Sequence, residues 1–160
     1  MRQLFALGLL YGGLFAEVSA NSAVVSPYLV TLKAREANVR VGPGSRYPLA
    51  WKFVRSEIPL MVLAEVGTWR KIRDSEGAEG WVHQNMIANR RTILVVGQTR
   101  SLMKKPKADA SIVAHIEPDV CARLLEIYGD WVRIKADGFT GWLLRAHIWG
   151  IPQHEKNRKF

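Results

Sequence analysis

Short apolar segments alternate with polar residues along most of the chain, and glycine and proline interrupt them at short intervals. Val39 and Val41 alternate with Asn38 and Arg40, which is the two-residue period of a strand with one buried face. No segment after residue 20 keeps a helical period over ten residues. The pattern predicts an all-β chain built from small barrels or sandwiches. The strand candidates are residues 49–54, 59–66, 68–73, 79–82, 92–96, 112–116, 120–128, 130–136 and 139–143.

One stretch of the chain, residues 67–87, is repeated at residues 129–148. Trp69 and Trp131 are 62 residues apart, and a repeat of that length corresponds to one small domain. We therefore predict two tandem copies of one β-domain. The positions identical in register are Gly67/Gly129, Trp69/Trp131, Ile72/Ile134, Gly77/Gly138, Gly80/Gly141, Trp81/Trp142 and Ile87/Ile148.

The repeat also predicts the domain boundaries. We expect an extended lead-in over residues 21–32, a first domain over 33–88 and a second domain over 89–150. Residues 151–160 are polar and basic, and we expect this C-terminal tail to fray.

The motifs N-V-R-V-G-P-G (38–44), G-x-W-x-x-I (67–72) and G-x-x-G-W-V (77–82) resemble those of bacterial SH3-like domains. The second copy is similar to the family mainly from Gly129 onward. The resemblance implies a five-stranded β-barrel for each copy. It also implies a binding or targeting module that is often attached to the cell wall and has no enzymatic activity of its own.

SH3 domains that bind proline-rich peptides contact them with a proline and a tyrosine of their own. In this chain His83 and Leu144 stand at the proline position, and Met86 and His147 stand at the tyrosine position. Polyproline recognition depends on a groove lined by aromatic residues. We therefore do not expect either copy to bind proline-rich peptides.

The first 20 residues have the pattern of a secretory signal. A short basic start precedes an apolar run at 4–15, and small residues follow at 18–20. The apolar run is shorter than the roughly 20 residues of a membrane-spanning helix. We predict a cleaved signal peptide over residues 1–20 and an exported, periplasmic or secreted protein that does not span the membrane after cleavage.

The chain carries a formal net charge of +9. The predicted signal contains one arginine and one glutamate, so 22 basic and 13 acidic residues remain and the net charge is unchanged. Such a charge favours anionic partners, which for an exported protein are cell-wall glycan or peptide, or an envelope protein, rather than nucleic acid. The alternative is a charged surface that only aids solubility.

Strand parity selects the candidate ligand-binding residues. On a strand, Val132 and Ile134 share the core face, so Trp131 lies on the opposite face. An outward indole beside cations can stack on a sugar or peptide while the cations bind carboxylates. The alternative is that each tryptophan packs against a loop or the sister domain. The candidates are Trp69, Lys71, Arg73, Trp131, Arg133 and Lys135, and we predict structural roles for Gly80, Trp81, Gly141 and Trp142.

The sequence contains no motif that predicts catalysis. Cys121 is the only cysteine and lies in an apolar strand pattern, so we predict a small buried hydrophobe. The four histidines lack metal-ligand spacing, and no nucleophile elbow or phosphate-binding glycine loop is present. We therefore expect no catalytic residues, metal or cofactor. A cysteine- or metal-dependent enzyme remains as an alternative class.

Two further interpretations concern surfaces. The apolar strand at 60–66, or a groove between the domains, could dock a partner protein in an envelope complex. The cations of the junction could form an anion-binding cluster or a dispersed solvated face. These cations are Arg90, Arg91, Arg100, Lys104, Lys105 and Lys107.

Overall fold

The computed structural model describes residues 23–160, so the signal peptide predicted over residues 1–20 lies outside the described residues. The first copy contains β1 (Ala23–Leu32), β2 (Ala37–Arg40), β3 (Leu49–Phe53), β4 (Pro59–Val66), β5 (Trp69–Arg73), β6 (Glu79–His83) and β7 (Ile87–Ala88). The second contains β8 (Thr92–Val95), β9 (Arg100–Met103), β10 (Ile112–Ile116), β11 (Cys121–Tyr128), β12 (Trp131–Ala136), β13 (Phe139–Leu144), β14 (Ile148–Trp149) and β15 (Arg158–Lys159). A 3₁₀ turn precedes β7 at Gln84–Met86, and another precedes β14 at Arg145–His147.

The two copies form two antiparallel sheets with the same strand order. The first sheet runs β3-β2-β6-β5-β4-β1-β7, and the second runs β10-β9-β13-β12-β11-β8-β14, with β15 added beside β11. In the first copy β1 and β4 to β7 form a continuous set of five strands, which the β2–β3 hairpin extends. The prediction of two tandem SH3-like β-domains is confirmed.

Each sheet surrounds its own hydrophobic core. In the first copy Leu32, Val39, Val62, Ile72 and Val82 are completely buried in one cluster, although they come from five different strands. The sheet therefore curves around a single interior. The second core has the equivalent composition, and Val132 and Ile134 lie in it as strand parity predicts.

The glycine of each Gly-Trp pair allows two strands to approach closely. A Cβ atom on Gly80 would lie 2.4 Å from Val39 Cγ1, and one on Gly141 would lie 2.6 Å from Leu102 Cγ. The tryptophans that follow lie on the opposite face of the sheet, because successive side chains of a strand alternate. Trp81 is buried, and Trp142 is half-buried with its ring 6.4 Å from that of Tyr128.

The two ends of the described chain are both held in the sheets. The extended segment before residue 33 forms β1, which pairs with β4 and with β7. The prediction that the tail frays is wrong: β15 pairs with β11, and the amide of Phe160 donates to Leu125 O at 2.9 Å. An ion pair between Arg91 and Glu155 holds the tail against the second domain, at 2.8 Å.

The two domains contact each other through polar side chains. Thr31 Oγ1 donates to Arg90 O at 2.7 Å and lies 2.9 Å from Thr92 Oγ1, and both threonines are buried. Arg55 donates to Cys121 Sγ at 2.8 Å across the same boundary. A cleft of about 290 Å³ lies beside this contact and is lined by residues of both domains, including Phe53 and Leu94.

The apolar strand proposed as a docking surface is part of the sheet interior. β4 lies between β5 and β1, and Leu60 and Val62 are completely buried in the core. Its two edges and its core face are covered, and its outer face carries the half-buried Met61 and Leu63. The interpretation of residues 60–66 as a partner-binding strand stays a prediction that concerns this outer face.

Candidate functional site

The predicted tryptophan-and-cation faces lie on β5 and β12, at equivalent places in the two domains. On β12, Trp131 is half-buried and Arg133 and Lys135 are exposed, while Val132 and Ile134 between them are buried. On β5, Trp69, Lys71 and Arg73 alternate with Arg70 and Ile72, and Ile72 points into the core. Parity therefore places the side chains as the sequence predicts. Their binding role stays a prediction.

Both cations of the predicted face in the first domain form ion pairs within the protein. Glu79 on β6 lies opposite Arg73, and its carboxylate accepts from Arg73 Nη2 at 2.5 Å. The same carboxylate lies 2.8 Å from Lys71 Nζ. The hydrogen bonds from Lys71 and Arg73 hold the pKa of Glu79 below its ordinary value. A ligand carboxylate would therefore have to compete with Glu79 for both cations of this face.

The second domain has no equivalent acid. Thr140 occupies the position of Glu79, since each directly precedes the glycine of the Gly-Trp pair, and Thr140 pairs with Lys135. Arg133 and Lys135 form no ion pair within the described residues. Arg123 on β11 lies directly opposite Lys135 on the other side and is also exposed. Sequence reasoning missed Arg123, although it lies between the buried Ala122 and Leu124 in the period of a half-buried strand.

Aromatic residues border these cations. Trp131 lies opposite Tyr128 on β11 and Leu144 on β13, and Tyr128 is 59% exposed. Trp142 lies opposite Arg133. We call the outer surface formed by Arg123, Tyr128, Trp131, Arg133, Lys135 and Trp142 the β12 face. It offers apolar rings at one end and three positive charges at the other.

The first domain instead places its tryptophan in a groove of about 310 Å³. The rings of Trp69 and His83 meet edge to face with their centroids 5.5 Å apart. His83 and Met86, at the positions of the missing proline and tyrosine, line this groove together with Trp69. Charged residues also line this groove, and among them Lys52 pairs with Glu36 at 2.5 Å.

The junction cations do not form one cluster. Arg90 pairs with Glu57, and Arg91 pairs with Glu155 in a half-buried position. Lys104, Lys105 and Lys107 are exposed on the loop between β9 and β10. The two arginines therefore stabilise the domain contact and the tail, and the lysines belong to a solvated loop.

The remaining reactive groups do not assemble into a centre. Among residues 23–160 no group of three or more histidine, cysteine or acidic side chains is placed to hold a metal ion. Cys121 is half-buried, and burial raises the pKa of its thiol although Arg55 acts in the opposite direction. No helix in the described part of the chain is long and apolar enough to cross a membrane.

The paired sheets and the repeated Gly-Trp contacts define a protein made of two tandem SH3-like β-domains. The family model of the bacterial SH3 domain matches residues 33–88 and 97–150, and the chain belongs to this family. No curated protein sequence matches the chain.

Two solved structures show weak similarity. NlpC1 from Trichomonas vaginalis is 13% identical over 86% of this chain and 51% of its own, with a TM-score of 0.35. NlpC2 from the same organism is 12% identical over 77% of this chain and 48% of its own, with a TM-score of 0.34. The chain spans about half the length of these structures. At such TM-scores the similarity carries no argument about function.

Proposed function

We propose that this protein is an exported, non-enzymatic module that binds an anionic ligand of the cell envelope, such as peptidoglycan. Outward tryptophans stack on sugar or peptide, and arginine and lysine side chains bind carboxylates or phosphates. The family membership supports a binding module, and the pattern of residues 1–20 supports export.

The observation that carries this proposal is the outward set on β12 of half-buried Trp131 and exposed Arg133 and Lys135. The two cations lie beside an accessible indole and form no ion pair in the part of the chain that the structure describes. A carboxylate or phosphate can therefore form charge-assisted hydrogen bonds with these cations without first displacing an internal partner. The overall charge of +9 also raises the local concentration of anionic polymers and accelerates their association.

Binding of the purified protein to isolated bacterial sacculi tests the proposal. We expect binding at low ionic strength that weakens as salt rises, because exposed charges are screened within about 10 Å at 0.1 M salt. W131A weakens the binding. Absence of binding at every salt concentration contradicts the proposal, as does binding by both W69A and W131A that equals the wild type.

A second candidate is an interaction subunit that binds an envelope protein through the cleft between the domains. The cleft is lined by apolar Phe53, Ile58 and Leu94, and Val54 at its rim is 62% exposed. A photo-crosslinking residue at position 54, used in cells, tests this function. One stoichiometric protein adduct supports it, and crosslinks to glycan alone contradict it.

A further inference from the structure

The tandem repeat gives two copies of the same face with different positive charge. In the first domain Glu79 pairs with both Lys71 and Arg73 and offsets one of their two positive charges. In the second domain Thr140 replaces this acid, and Arg123 stands where the first domain has Met61. The same four sheet positions therefore carry two cations and one acid in the first domain, a formal charge of +1, and three cations without an acid in the second, a formal charge of +3.

The arrangement of the cations lowers the stability of the second domain. Arg123 and Lys135 are direct cross-strand neighbours on the outer face, and like charges at such positions repel each other. Arg133 follows one outward position along β12. Glu126 lies directly opposite Arg133, and its carboxylate is 3.9 Å from Lys159 Nζ, while no acid lies opposite Lys135 on either neighbouring strand. A bound anion would relieve this repulsion.

We infer that the β12 face of the second domain is the binding surface for a polymer with repeated anionic groups, and that Glu79 keeps the equivalent face of the first domain from binding it. This inference rests on the proposed function and deepens it by assigning the ligand class and the domain. Three cations on one strand pair suit several phosphates or carboxylates along a chain, and Tyr128, Trp131 and Trp142 provide stacking surface beside them.

Thr140 is the position that determines which of the two domains binds the anionic polymer. It lies opposite Lys135, where a glutamate would reproduce the pairing of Arg73 with Glu79. T140E places an internal carboxylate between the cations and competes with the ligand for them. T140Q has nearly the same size without the charge and serves as the matched control.

The experiment compares wild type, T140E, T140Q and M61R/E79T for binding to purified sacculi at low salt. M61R/E79T reproduces the cation set of the second domain on the first. Thermal unfolding confirms that each variant is folded. Sacculi before and after removal of phosphodiester-linked polymers with hydrofluoric acid distinguish phosphate from carboxylate as the source of the anions. Chitin beads provide an uncharged glycan.

We expect T140E to weaken binding to untreated sacculi by roughly fivefold or more, which corresponds to about 1 kcal/mol of lost interaction. T140Q binds like the wild type, M61R/E79T binds more strongly, and none of the four binds chitin. Wild-type binding that T140E leaves unchanged overturns this inference while the proposed function stands, and equal binding to chitin overturns both. Absence of wild-type binding overturns both.

Discussion

The hydroxyl of Thr31 lies 2.9 Å from the hydroxyl of Thr92, and both groups are buried where the two domains meet. Thr31 donates to Arg90 O at 2.7 Å, so Thr92 donates to Thr31. Two residues on opposite sides of the junction thus share one hydrogen-bond chain. This contact fixes the junction at a point where water cannot replace a lost partner.

We predict that T31V lowers the free energy of unfolding by about 1–3 kcal/mol, because it leaves Arg90 O and the Thr92 hydroxyl without this partner. T92V is the control, since it keeps the bond from Thr31 to Arg90 O. Urea unfolding measures both. A loss for T92V that equals or exceeds that for T31V contradicts the hydrogen-bond chain.

We predict that G141A destabilises the second domain by about 1–3 kcal/mol, because the added methyl overpacks a strand contact. It would lie 2.6 Å from Leu102 Cγ and 2.8 Å from Met103 O, and the backbone carbonyl cannot turn aside. G80A meets mainly the Val39 side chain and costs less. G44A is the control, because its nearest atom belongs to the Tyr47 ring at 3.3 Å. Thermal unfolding that ranks G44A as the most harmful contradicts this packing argument.

Much of this architecture follows from sequence pattern. The repeat fixes the number of domains, and the alternation of Val132 and Ile134 with charged residues fixes which side of β12 faces outward. These features depend on residues near each other in the chain.

What sequence reasoning missed depends on distant pairs. Arg123 joins Lys135 only through the register of β11, which contains an irregularity between Leu124 and Glu126. The polarity of the tail alone predicts fraying, but Glu155 accepts a hydrogen bond from Arg91, which lies 64 residues earlier in the chain. The chain contains many arginines, lysines and glutamates, and only the assembled sheet determines which of them become neighbours.

We predict that E155Q lowers the melting temperature at pH 7 and not in strong acid. Burial alone would raise the pKa of Glu155, but its hydrogen bonds and attraction to Arg91, together with Arg158, lower it below the ordinary value of 4.5. The stabilisation is therefore complete above about pH 4.5 and disappears as the pH falls through the lower folded-state value.

At pH 7 the expected loss for E155Q is about 1.5–3 kcal/mol, as for hydrogen bonds to a charged group. K156Q, an exposed neighbour, is the control and stays within about 0.5 kcal/mol of the wild type. Melting curves recorded from pH 7 to pH 2.5 measure the effect. A difference between E155Q and wild type that persists unchanged to the lowest pH contradicts the ion-pair explanation.

We predict that T140E stabilises the second domain although it weakens ligand binding. The new carboxylate pairs with Lys135 and Arg133 and reduces the repulsion between Lys135 and Arg123. The expected gain is about 0.2–1 kcal/mol, which high salt reduces because the pair is exposed. E79T has the opposite effect on the first domain. Denaturant unfolding at low and high salt measures both, and T140E that destabilises relative to T140Q contradicts the cation cluster.

Binding at the β12 face can be tested by locating the bound ligand on the folded protein. Amide chemical shifts of the isotopically labelled protein are recorded while soluble fragments, released from sacculi by a muramidase, are added. We predict that shifts change for Arg123, Arg133, Lys135 and Thr140 and for the Trp131 indole, while the equivalent residues on β5 and β6 stay unchanged. Shift changes concentrated on β5 and β6, or equal changes on both domains, would contradict selective binding at the β12 face.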